Sequence, residues 1–78
     1  MAWVSKIEFK EGDGRMQPSK VTARIKRFNL DGQTPILQID THGSENRENP
    51  GKQSQTLQFG KETAQELFDV LKNTFNFR

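Results

Sequence analysis

The stretch that most constrains the fold is Lys20–Leu30, KVTARIKRFNL. Read with a period of two, it has two unlike sides: Val21, Ala23 and Ile25 on one, Lys20, Thr22, Arg24, Lys26 and Phe28 on the other. Alternation sustained over this length describes a strand with one face buried and one in water. A wet side carrying three cations and an aromatic ring differs from plain solvated surface. The remaining elements are expected to build a small sheet around this strand and to back it with one helix.

Trp3–Lys10 alternates in the same way and reads as strand one, with Ile7 and Phe9 inward and Trp3 and Phe9 assigned to the core. Glu11–Gly14 has turn composition, and Pro18 extends a loop before strand two. Asp31-Gly32 marks a hairpin into strand three, Thr34–His42. A two-residue loop would set Lys26 against Leu37 and mix the faces. A three-residue loop, Asp31–Gln33, sets Lys26 against Gln38, Arg24 against Asp40 and Ile25 against Ile39, and is expected because a slip of one inverts every side chain. Residues 43–53 are polar, patternless loop, and Ser54–Phe59 forms strand four. From Lys61 to Phe75, the apolar residues Ala64, Leu67, Phe68, Leu71 and Phe75 recur at helical spacing. Their expected seat is the Ile7, Phe9, Ala23, Ile25, Leu37, Ile39, Leu57 and Phe59 face. The predicted architecture is α+β: a four-stranded antiparallel sheet followed by one C-terminal helix, β-β-β-β-α, in a single domain over residues 1–78.

Size and composition limit what this fold can do. A chain of 78 residues with 31% hydrophobic content and mean hydropathy −0.90 has a lean core, so self-association is expected on stability grounds. Without cysteine there is neither a disulfide nor a thiolate metal site, which fits a reducing, cytoplasmic setting. The N-terminus carries charge early and reads as neither signal nor transit peptide. No apolar run approaches the roughly 20 residues of a membrane span. Net charge is only +2, but between Gly14 and Leu30 lie Arg15, Lys20, Arg24, Lys26 and Arg27 with no acid at all. Such segregation favours an anionic partner.

Catalysis and metal binding find little support. The single histidine, His42, has Asp40, Thr41 and Ser44 nearby, yet on an open strand face these do not converge as acid–base or nucleophilic chemistry requires. The expectation is no enzyme, no metal and no cofactor. The cationic and aromatic face suits a single-stranded nucleic acid, whose phosphates pair with Lys and Arg and whose unpaired bases stack on rings. Duplex reading would need an element shaped for a groove, and the helix is committed to the core. Alternating Lys and Thr on a solvated strand is also ordinary, and a protein-interaction module using the exposed sheet face or edge is the alternative.

The run Leu37–Asn73, LQIDTHGSENRENPGKQSQTLQFGKETAQELFDVLKN, together with the order of elements, resembles the transcriptional positive cofactor four family, including its small bacterial members, and more remotely the plant Whirly domain. The likeness lies in a strand leading to an acidic loop, a Pro-Gly-basic segment, a short strand and an amphipathic helix that opens with an acid. It implies a homodimer that lays single-stranded DNA, or RNA, across its strand face with little sequence preference. It further implies roles in transcription, replication or repair, contact with proteins of those processes, and a cytoplasmic or, in a bacterium, nucleoid location. By the same likeness Pro50-Gly51-Lys52 corresponds to a basic loop, and Lys26, Arg27 and Phe28 to a basic-aromatic strand end. The family's strand-three aromatic is replaced by Thr41-His42-Gly43, where only His42 can stack, and Gln53 stands where a further basic residue would follow Lys52. The candidate binding residues are thus Lys6, Lys20, Arg24, Lys26, Arg27, Phe28, His42 and Lys52.

Overall fold

The computed structural model of the protein describes residues 1–43 and 53–78. The chain runs β1 (Ala2–Trp3), β2 (Thr22–Leu30), β3 (Thr34–His42), β4 (Gln53–Phe59) and α1 (Lys61–Phe75). The strands form one sheet in the order β1-β4-β3-β2, followed by the C-terminal helix, an α+β fold. The β2–β3 register is the one that keeps the faces apart: Lys26 lies against Gln38, Arg24 against Asp40 and Ile25 against Ile39. The three-residue connection places Asp31 (φ 54°) and Gly32 (φ 70°) in the left-handed region, and Gln33 N–H donates to the Leu30 carbonyl at 3.0 Å. Only glycine, and to a lesser degree Asp and Asn, enter that region readily, so the Asp-Gly pair carries the turn.

Two expectations about the sheet require correction. It is mixed, not antiparallel throughout, because β1 pairs parallel to β4. Strand one also stops at Trp3 instead of running to Lys10. Ala2 lies beside Leu57 and Trp3 beside Gln58, and Val4 N–H donates to the Gln58 carbonyl at 2.9 Å. One residue later, at Phe59, β4 ends, and the helix begins at Lys61, so a strand running parallel to β4 has nothing left to pair with. Residues 4–21 therefore belong to no helix or strand, and Phe9 is exposed rather than inward.

The helix meets the sheet at β3 and β4. Ala64 and Phe68 of its stripe face the side of the sheet that bears Leu37 and Phe59, lining with them and Arg27 a cleft of about 360 Å³. The covered area is small. Among the described residues the buried hydrophobic side chains are Ile36 (5% exposed) and Phe59 (6%), while Ile25, Leu57, Phe68, Leu71 and Phe75 remain exposed. Helix entry is set by packing: a Cβ on Gly60 would lie 3.0 Å from the Trp3 ring, so the ring can rest on the backbone only where there is no side chain. No side chain caps the first turn, although Glu62 suits the dipole there. The buried Thr63 hydroxyl has no hydrogen-bond partner among the described residues, a deficit that typically costs about 1–3 kcal/mol. At the other end Asn76, with φ 58°, donates its N–H to the Lys72 carbonyl, and Phe75 and Phe77 stack with centroids 5.7 Å apart.

Candidate nucleic-acid interface

Cross-strand partners share a face, so the register lays out the side opposite the helix row by row. One row crosses the whole sheet: Trp3, Gln58, Gln38 and Lys26. The next holds Thr56, Asp40 and Arg24, and beyond it Thr22 lies against His42. On the other side of the long row, Phe28 lies against buried Ile36. The face therefore has an apolar end, a polar middle, and a flank of cations along β2. Arg24 and Lys26 are exposed, and Phe28 is half-buried.

The polar middle is internally wired. Thr56 Oγ1 donates to Asp40 Oδ1 at 2.6 Å, and Gln38 Nε2 donates to both Asp40 oxygens at 3.0 and 3.2 Å. With its amide nitrogen so engaged, Gln38 turns its Oε1 outward to accept from Gln58 Nε2 at 2.8 Å. The hydrogen bonds thus share one direction, from Gln58 through Gln38 to Asp40. The Thr56 hydroxyl, opposed in part by burial and assisted by Gln38, Lys26 and His42, holds the Asp40 carboxyl below its usual value of 3.8. An acid sunk in a cationic face would ordinarily repel a phosphate. Here its lone pairs are turned to neighbouring donors beneath the surface.

That arrangement predicts an acid-sensitive component of stability. Because the folded carboxyl titrates below the unfolded one, its contribution is full above about pH 3.8 and fades as the pH falls through the folded value. In thermal melts from pH 7 to pH 2, Asp40→Asn is expected to lie below the parent at neutral pH and to converge on it in acid. Curves that stay parallel down to pH 2 would show that the carboxylate contributes no charge-dependent stability.

The sequence-derived residues fall into distinct groups. Arg24, Lys26, Phe28 and His42 are together on one face. Lys20 lies two residues before β2, exposed. Arg27 is not with them: it alternates onto the helix side, where it lines the cleft beside Phe68. Lys6 sits in the irregular arm, 3.2 Å from Glu8. Lys52, with the loop that precedes it, lies outside the described residues. Trp3, expected in the core, is instead 52% exposed and shares the cationic face with Gln58. The strand-like alternation of the N-terminus could not reveal this, because a parallel neighbour sets the parity. Among the described residues, no group of three or more His, Asp or Glu could hold a metal ion, and no helix is long and apolar enough to cross a membrane. Comparison of the chain with protein-family models, with curated proteins and with solved structures finds no match in any of the three.

Proposed function

We propose that the protein is a non-enzymatic module that binds single-stranded nucleic acid, DNA in preference to RNA, across the face opposite its helix. The observation that supports this most directly is the co-location of Arg24, Lys26 and Phe28 on that side, with Trp3 at the far end of the same row as Lys26. Arg24 and Lys26 hold phosphates, with Lys20, Lys6 and, by resemblance, Lys52 as further cations; Arg27, on the helix side, is not among them. Phe28, His42 and Trp3 offer rings to unpaired bases. Gln38 and Gln58 add amide groups between them, and contacts of this mixture carry little sequence preference. By the family resemblance, the role proposed for this binding lies in transcription, replication or repair, in the cytoplasm or at a bacterial nucleoid.

The deciding experiment is titration with oligo-dT and with duplex of equal length, followed through Trp3, the single tryptophan in the chain. Quenching and saturation by oligo-dT at concentrations where duplex leaves the signal unchanged is the expected result; equal affinity for both would overturn the single-strand reading. Phe28→Ala is expected to weaken oligo-dT binding by about 1–3 kcal/mol, with Phe28→Leu as the control for packing against Ile36. Equal binding by all three proteins would make Phe28 purely structural.

The same protein acts as a homodimer in this proposal. Phe68, Leu71 and Phe75 form an exposed apolar stripe on α1, and Ile25 and Leu57 lie exposed on the sheet side it faces. Contiguous apolar surface of this kind is normally covered. Light scattering is expected to give twice the 9.0 kDa chain mass, and Phe68→Lys to give the single chain. A monomeric parent protein would remove the dimer.

A further inference from the structure

The open edge of β2 and the arm that precedes it are complementary, and we infer that Ser5–Lys10 of one copy pairs as a fifth strand against β2 of a second copy. The inference rests on the dimeric reading above only in requiring a second copy, and it assigns that copy a definite backbone contact. Among the described residues β2 has one neighbour, β3, so the other side of a nine-residue strand is open. An open edge of that length is a template for further pairing. The arm has the matching property: it keeps a strand's alternation yet finds no strand to join, because β4 ends one residue after the last pair with β1.

Geometry excludes the arm's own β2. Val4 is tied to Gln58 on the outer side of β4, and the open place beside β2 lies four strand spacings away, about 19 Å at the usual separation. At about 3.3 Å per extended residue the crossing consumes Ser5–Lys10. The patterned segment cannot both make the crossing and pair at its end. A second copy has no such restriction.

Side-chain parity supplies the complementarity. Ile25 is 63% exposed on the helix side of β2, and Phe9 is equally exposed on the arm. In either strand direction, setting Ile7 or Phe9 opposite Ile25 places Glu8 opposite Arg24 or Lys26 on the other face. Opposite charges across a strand pair are favourable. The same step carries Lys6 and Lys10 onto the cationic face, extending it beyond β2.

Because the chain has no cysteine, disulfide trapping reports this contact without background. Glu8→Cys chains are mixed with Arg24→Cys or Lys26→Cys chains and oxidised, with Lys72→Cys, on the helix, as the control partner. The expected result is a linked two-chain species with at least one β2 partner, formed well ahead of the control. Amide exchange at β2 is expected to be slow in the parent and faster in Ile7→Pro/Phe9→Pro, changes that lie outside every helix and strand. A dimer by light scattering with no preferential linkage and unchanged exchange would overturn the strand contact while leaving the dimer. A monomer would overturn both. Linkage or protection appearing only when oligo-dT is added would make the arm a clamp on nucleic acid and overturn the pairing.

Discussion

Reversing both cations of β2, Arg24→Glu with Lys26→Glu, is expected to lower affinity for oligo-dT by about 100-fold or more at moderate salt, with the fold intact. Both side chains are exposed on one face, two residues apart on a strand, and each reversal replaces an attraction to phosphate with a repulsion. Salt dependence provides the sharper readout. If about four phosphates are neutralised, log K falls with log salt at a slope near −3, since each contact on a single strand contributes about −0.7. The reversed protein should show a slope shallower by at least about 1.4. The measurement is a set of titrations between 50 and 300 mM salt. A parent slope near zero would remove phosphate contact from the mechanism altogether. Retained oligonucleotide binding by the variant would move the site elsewhere, and a protein partner captured equally by parent and variant would favour the interaction-module alternative.

Ile36→Ala is expected to be strongly destabilising. Ile36 and Phe59 are the buried hydrophobic residues among those described, and Ile36 packs on the face opposite Phe59, against Phe28. Removing most of a buried Ile side chain costs about 2–5 kcal/mol, and a chain of this length holds about 4–12 kcal/mol in total. The melting temperature should fall by about 10 °C or more, against a small change for Leu30→Ala, whose side chain is exposed. Equal losses at the two positions would mean that Ile36 is no part of the core. Because Ile36 supports Phe28, a milder Ile36→Val variant should also weaken oligo-dT binding if Phe28 is a stacking platform.

How these two residues came to matter separates what pattern reveals from what packing adds. Ile36 alternates with Gln38 and Asp40, so by period it belongs to the wet side. It is buried because that face has an apolar end, near Phe28 and the start of the helix. Arg27 illustrates the reverse case. Likeness to a known family grouped it with Lys26 and Phe28, whereas alternation alone sets it beside Ile25, and the structure follows alternation. The Asp40 network was legible only as a set of polar positions. That Gln38 would turn its amide nitrogen to the carboxylate depends on Thr56 and Gln58 arriving from β4.

The sequence by itself determined the β2–β3 hairpin, its register and the C-terminal helix, because these follow from interactions between near neighbours: an Asp-Gly turn, a period of two and a period of 3.6. It also determined that Arg24, Lys26 and Phe28 share a side. Tertiary structure alone decided that β1 runs parallel to β4 and ends after two residues, and with it the position of Trp3 and the release of the arm. That outcome depends on where β4 gives way to α1, a contact between chain segments more than fifty residues apart, and no local periodicity encodes it.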